Sequence, residues 1–384
     1  MDCKRLKEEF KIITGFLPWF LCGILLLPFT WLRKIGRDRR RILFFTQNKI
    51  GDFVAQVPLF RETKRYHKDS FITVLLIKPD LEGLIKCDQN VDEIILWDAP
   101  AGKAGKIRLI LKLMRNNYDC FFNLSFESWV DFISLFSLIP NRITIVSPSL
   151  SHTLKLYYKI IGTKLVVYPL GAYSTSVYLN ALNFIGVYSS DATRRIYPCL
   201  EDKEFASKLI EEYQLRNKKY LIAISVSCGN KLKEWQWEKF AALAEGLLEN
   251  FQANVVFVGS RADKELVAKV ISLMKNPAFD FSGFFNLGQL AAFLEKIDLY
   301  ICVDSGPLYI ANAVGTPVID IAGPVDTREQ LEVSTKAKVV QPNLPCVPCS
   351  YVAKTARTCR LGGRDCLEKT QARDVILKAR EILF

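Results

Sequence analysis

Asp52, Lys233 and Asp304 are the residues best placed to do chemistry, because each sits where an apolar, strand-like run gives way to a helical one. In Gln47-Asn48-Lys49-Ile50-Gly51-Asp52, Gly51 permits a tight turn and Asp52 falls in the first turn of the following helix. A carboxylate there either complements the helix dipole or stands at a strand end, ready to accept a proton. In Val303-Asp304-Ser305-Gly306-Pro307-Leu308-Tyr309 a strand ends at Asp304 and Pro307 falls near the start of a helix. Free backbone N–H groups and the positive end of the dipole suit an anion such as a diphosphate, and a capped helix start is the plainer reading. Ser227-Cys228-Gly229-Asn230-Lys231-Leu232-Lys233-Glu234-Trp235 joins small residues to two lysines. It is either a solvated loop or a phosphate wrap with Lys233 as its point charge. Cys346-x2-Cys349-x9-Cys359-x6-Cys366 groups four thiols in a loop rich in Pro, Arg and Gly. A structural zinc, free thiols and a redox pair are all compatible with that spacing.

The elements that must position these residues alternate. Strands are expected at Ile42–Thr46, Phe71–Ile77, Glu93–Trp97, Asp119–Leu124, Arg142–Val146 and Leu165–Tyr168. Between them, Phe53–Tyr66, Lys106–Asn116, Glu127–Leu138 and Thr175–Ile185 read as helices. The pattern restarts with strands at Tyr220–Ser227, Asn254–Val258, Phe279–Ser282, Leu299–Val303 and Val318–Ile321, separated by helices. Continuous apolar strands in β-α-β order imply parallel sheets covered on both faces, with ligands bound beyond the strand C-termini. The expected organisation is a membrane-attachment segment at 1–41, a Rossmann-like domain at 42–190 and a linker at 191–219. A second Rossmann-like domain with the cysteine loop follows at 220–370, and a closing helix at 371–384.

Composition narrows the class. Half of the 384 residues are hydrophobic and 24% are charged, which is globular and excludes a disordered or collagenous chain. Two histidines, His67 and His152, leave no room for a His-rich metal site. Cys120, Cys199 and Cys302 lie in apolar runs and read as buried free thiols suited to a reducing compartment. From Ile12 to Leu32 no residue is charged, enough for a helix of about 31 Å, and Arg33, Lys34, Arg37, Arg39, Arg40 and Arg41 follow. A membrane segment there would leave the bulk of the chain at the cytoplasmic face of the inner membrane, with the basic run on anionic headgroups. Pro18 and Pro28 allow a re-entrant or interfacial helix instead of a span. The net charge of +12 then needs no nucleic acid partner.

Taken together, the blocks from about residue 42 to 383 resemble family 9 glycosyltransferases, the bacterial lipopolysaccharide heptosyltransferases. The resemblance rests on Lys49-Ile-Gly-Asp52 with Pro58-Leu59, Lys233-x-Trp235, Asp304-Ser-Gly-Pro307, Gly315-Thr-Pro317, Gly323-Pro324 and the Cys346-x-Pro-Cys349 tail. It implies a GT-B fold and an inverting, metal-independent transfer that needs no cofactor beyond a nucleotide-sugar donor, ADP-heptose first, and a lipid-linked saccharide acceptor. Carried over, Asp52 would be the general base and Lys233 would neutralise the diphosphate. Ser227, Asp263, Asp304, Ser305, Gly306 and Tyr309 would contact the donor, with Asp263 near the nucleotide ribose. Gly51 and Asn123 would belong to the acceptor side. Three positions depart from the family pattern: Tyr309 replaces a frequent His, Gln236 a Pro and Asn123 an Asp. The alternatives are a non-catalytic nucleotide-sugar-binding relative, a family 9 enzyme with another donor sugar, and a dehydrogenase. The first β-α turn lacks Gly-x-Gly-x-x-Gly, which counts against the last.

Overall fold

The computed structural model describes residues 24–30, 40–97, 102–127, 129–332 and 334–384. Two six-stranded parallel sheets dominate it. The first holds β1 (Arg41–Phe45), β2 (Phe71–Leu76), β3 (Glu93–Leu96), β4 (Cys120–Asn123), β5 (Asn141–Val146) and β6 (Thr163–Val167), in the order β3-β2-β1-β4-β5-β6. The second holds β7 (Tyr220–Ser225), β8 (Ala253–Gly259), β9 (Phe279–Ser282), β10 (Leu299–Val303), β11 (Val318–Ile321) and β12 (Ala337–Val340), in the order β12-β11-β10-β7-β8-β9. In both sheets the order reverses beside the first strand, which opens a crevice at the strand C-termini. The strands are nearly continuous runs of buried Ile, Leu, Val and Phe, because helices cover both faces.

The lobes meet closely where the two strand-end helices face each other. The short helix Ile50–Val54 packs on the helix Gly306–Ala313. Glycines make this possible: a Cβ on Gly51 would lie 2.7 Å from the Tyr309 ring, and one on Gly306 would lie 2.6 Å from Ile50 Cβ. A second contact joins the 3-10 segment Pro79–Leu84 of the first lobe to the helix Leu287–Leu294 of the second. Close to it, Cys87 and Cys199 form a disulfide, which corrects the reading of Cys199 as a free thiol. Cys199 is the N-cap of the helix Leu200–Glu212, and that cap position brings its sulfur to Cys87.

The expected N-terminal membrane segment is also corrected. Among the described residues no helix is long and apolar enough to cross a membrane. Of the stretch from Ile12 to Leu32, the structure describes only a helix at 24–30, about 10 Å long against the roughly 30 Å of a bilayer core. Its Leu27 packs on the first lobe beside Leu135, Val146, Tyr158 and Ile161. The rest of the stretch, and the basic positions 33–39, lie outside the described residues.

Candidate active site

A cavity of about 390 Å³ lies between the lobes, at the strand C-termini. Asp52 reaches it from the first lobe, at the turn that follows β1. Lys233 and Asp304 reach it from the second, after β7 and β10. Gly51, Ser305, Gly306 and Tyr309 line the same cavity.

Asp52 is 5% exposed, and Gln330 Nε2 donates to its Oδ1 at 2.7 Å. Lys49 Nζ stands 4.0 Å from Oδ2. Burial raises the Asp52 carboxyl above its ordinary range, while Lys49, Gln330 and Lys233 pull in the other direction without cancelling it. Such a group titrates closer to neutrality than an exposed aspartate, which suits a base that must both take and release a proton.

Opposite it, Lys233 donates to Asp304 Oδ2 and the Tyr309 hydroxyl donates to Asp304 Oδ1. Burial alone would push the Lys233 amine down, but the adjacent Asp304 carboxylate outweighs it and holds the amine above its usual value. Lys233 is therefore a fixed cation at neutral pH. Asp320, one strand across on β11, lies in register with Cys302. It is buried with no partner for Oδ1, and burial, reinforced by Asp304, raises its pKa well above the ordinary aspartate value. Ser305 is the N-cap of the Gly306–Ala313 helix, and its side chain makes no capping hydrogen bond. The first turn of that helix faces the cavity with its dipole end positive.

Three expected positions stand elsewhere. Ser227 is half-buried and outside the lining, which is taken up by Cys228, Gly229 and Asn230. Asp263 closes a capping box: its Oδ2 accepts from Ser260 N at 2.6 Å and from Ser260 Oγ at 2.7 Å, which ties it to the helix start. Asn123 is fully buried in a network with Ser125, Glu127 and Asp131. Its amide has no face left for an acceptor. Conversely, Lys78, Thr327, Gln330, Thr355 and Arg357 line the cavity without having been singled out by sequence. Lys78 follows β2 as the cap of the segment Pro79–Leu84, whereas Gln330, Thr355 and Arg357 lie in irregular chain beyond β11 and β12.

Cys346, Cys349, Cys359 and Cys366 line a separate cavity of about 670 Å³. Burial, then the neighbouring thiols, raises Cys349 and Cys366 above their ordinary values. Among the described residues, the one cluster of three metal-ligating side chains with atoms within 4.8 Å of one another is Cys199, Glu201 and Asp202, and the Cys199 sulfur is committed to its disulfide. The four late thiols share this cavity, and no three of their sulfurs lie within 4.8 Å of one another.

The comparisons with known proteins agree with this geometry. Residues 170–359 match the model of glycosyltransferase family 9 (heptosyltransferase). Lipopolysaccharide core heptosyltransferase OpsX of Haemophilus influenzae is 25% identical over 71% of this chain and 76% of its own. Lipopolysaccharide heptosyltransferase 3 of Escherichia coli is 27% identical over 72% of this chain and 81% of its own. The solved ADP-heptose lipopolysaccharide heptosyltransferase II of E. coli shares the fold with a TM-score of 0.71 at 17% identity, across 89% of this chain and 98% of that one. The two parallel sheets are thus a GT-B-like pair. The chain is a heptosyltransferase-like glycosyltransferase whose residues 170–359 match the family 9 model.

Proposed function

We propose that this enzyme transfers heptose from ADP-heptose to a lipopolysaccharide core or related glycolipid acceptor, with inversion and without a metal. The observation that carries the reading is one cavity with a carboxylate of raised pKa on one wall and a lysine with a helix N-terminus on the other. The acceptor hydroxyl attacks the anomeric carbon, Asp52 takes its proton, and the bond from that carbon to the diphosphate breaks. Lys233 and the Gly306 helix start receive the charge that develops on the leaving group. In the unliganded site Asp304 holds Lys233, so the diphosphate competes with a carboxylate for the same ammonium. Asp304, Ser305 and Tyr309 are the donor-side contacts in this scheme. A lipid-linked acceptor places the reaction at the cytoplasmic face of the inner membrane, where a net charge of +12 favours anionic headgroups.

A thermal-shift panel of ADP, GDP, UDP, dTDP and CMP tests the donor. A ligand raises the melting temperature by binding the folded state, in proportion to the logarithm of concentration over affinity. The expected result is a shift selective for ADP. Selectivity for another nucleotide keeps the transferase and replaces its donor. No shift with any of them at millimolar concentration overturns the reading in favour of a chain without a nucleotide-sugar site.

A further inference from the structure

Gln330 belongs to the second lobe in sequence, yet its amide reaches across the cleft to the carboxylate of the first. The segment that carries it is strapped to the first lobe. Glu329 accepts from Gly171 N at 2.8 Å through its side chain, and its carbonyl accepts from Ser174 Oγ. The Gln330 carbonyl accepts from Arg194 Nη1. The backbone is therefore fixed and the side chain can vary little. Gln330 Oε1 is buried without a partner, so nothing but Asp52 holds the amide in its present sense. A flipped amide would set oxygen against oxygen. Gly51 makes the arrangement possible, since a Cβ there would lie 3.2 Å from Oε1 as well as against Tyr309.

We propose that Gln330 is the positioning residue of the general base, its amide taking Asp52 Oδ1 so that Oδ2 is left for the acceptor hydroxyl. The proposal rests on the reading of Asp52 as the base. The strap from Glu329 to Gly171 and Ser174 holds the amide at the carboxylate, and that hydrogen bond fixes the plane of the Asp52 carboxylate.

The test is the pH dependence of turnover in Gln330→Leu and Gln330→Glu, beside the parent and Asp52→Asn. The groups that act on Asp52 are Lys49 on its own helix, Lys233 and Asp304 across the cleft, Glu329 on the strap, and Tyr168 and Tyr178 behind it. None of these is changed by the Gln330 variants. An amide N–H donating to a carboxylate favours the charged form, so its removal raises the pKa and moves the acidic limb of the rate profile to higher pH. Gln330→Leu is expected to lower kcat about tenfold to fiftyfold with the donor KM within about twofold, and to move that limb upward. Gln330→Glu adds a second carboxylate and moves it further. A kcat loss with an unmoved limb would make Gln330 merely structural, and parent-like kinetics would remove its role altogether. If Asp52→Asn keeps parental turnover, the base assignment fails first, and the proposal falls with it for that separate reason.

Discussion

Asp52 and Asp131 are both buried aspartates of the first lobe, and their surroundings divide chemistry from scaffolding. Asp131 is fully buried on the helix Trp129–Phe136. It accepts from Thr144 Oγ1 at 2.5 Å, Tyr158 Oη at 3.0 Å and Asn123 Nδ2 at 3.2 Å. Every partner comes from its own lobe. Asp52 opens on the cavity, and its hydrogen bond comes from the opposite lobe. Burial raises both carboxyls, Asp131 to about 6. A perturbed carboxyl is therefore not enough to mark a catalytic group. What separates the two is an open side facing a cavity and a partner supplied by a segment of the other lobe.

The contrast can be broken from either side. Lys233→Ala removes the cation that faces Asp52 across the cavity, and turnover should fall by about 10²–10³, as when an oxyanion donor is lost. A steady-state transfer assay measures this, and a loss under threefold would take Lys233 out of the mechanism. Asp131→Ala strands Thr144, Tyr158 and Asn123, and should cost about 3 kcal/mol of stability while leaving turnover per folded molecule near parental. Denaturant unfolding beside the transfer assay checks both halves.

Asp131 also predicts a pH dependence. Its folded-state pKa of about 6 stands above the ordinary aspartate value, so the folded protein holds that proton more tightly than the unfolded chain does. Its contribution is therefore fully present below pH ~4 and lost as pH rises through about 6, by roughly 2–3 kcal/mol. The stability of Asp131→Asn, measured against the parent from pH 4 to 7.5, should lack that decline. Asn123→Ala is the smallest effect, about 1–2 kcal/mol of stability with the acceptor KM unchanged. A raised acceptor KM would return Asn123 to the acceptor site.

The sequence exposes whatever obeys strand–turn–helix order. Eleven of the strands are legible to within two residues because their runs are apolar on both faces. β12 is missed, since Lys338, Val339 and Val340 are only half-buried at the sheet edge. The helix His152–Ile160 is missed as well. The expected helix Phe53–Tyr66 is in fact two, one ending at Val54 and another starting at Pro58, because proline removes an N–H and restarts the chain at a helix N-terminus. Asp52, Lys233, Asp304 and Tyr309 are legible because each lies just after a strand, beside glycines or small residues. Asn123 obeys the same positional rule, and its own lobe consumes it. Gln330 obeys no local rule. Its position is set by Glu329 and Arg194 contacts more than a hundred residues away in the chain, which no local pattern carries.

The most direct test of the account pairs Asp52→Asn with Asp131→Ala and measures each for turnover, ADP affinity and melting temperature. The account predicts a crossed result. Asp52→Asn should lose about 10³ in turnover, keep ADP affinity within about twofold and melt near or above the parent. Asp131→Ala should melt several degrees lower and turn over normally. If Asp52→Asn turns over at the parental rate, Asp52 is not the base and the central claim is wrong.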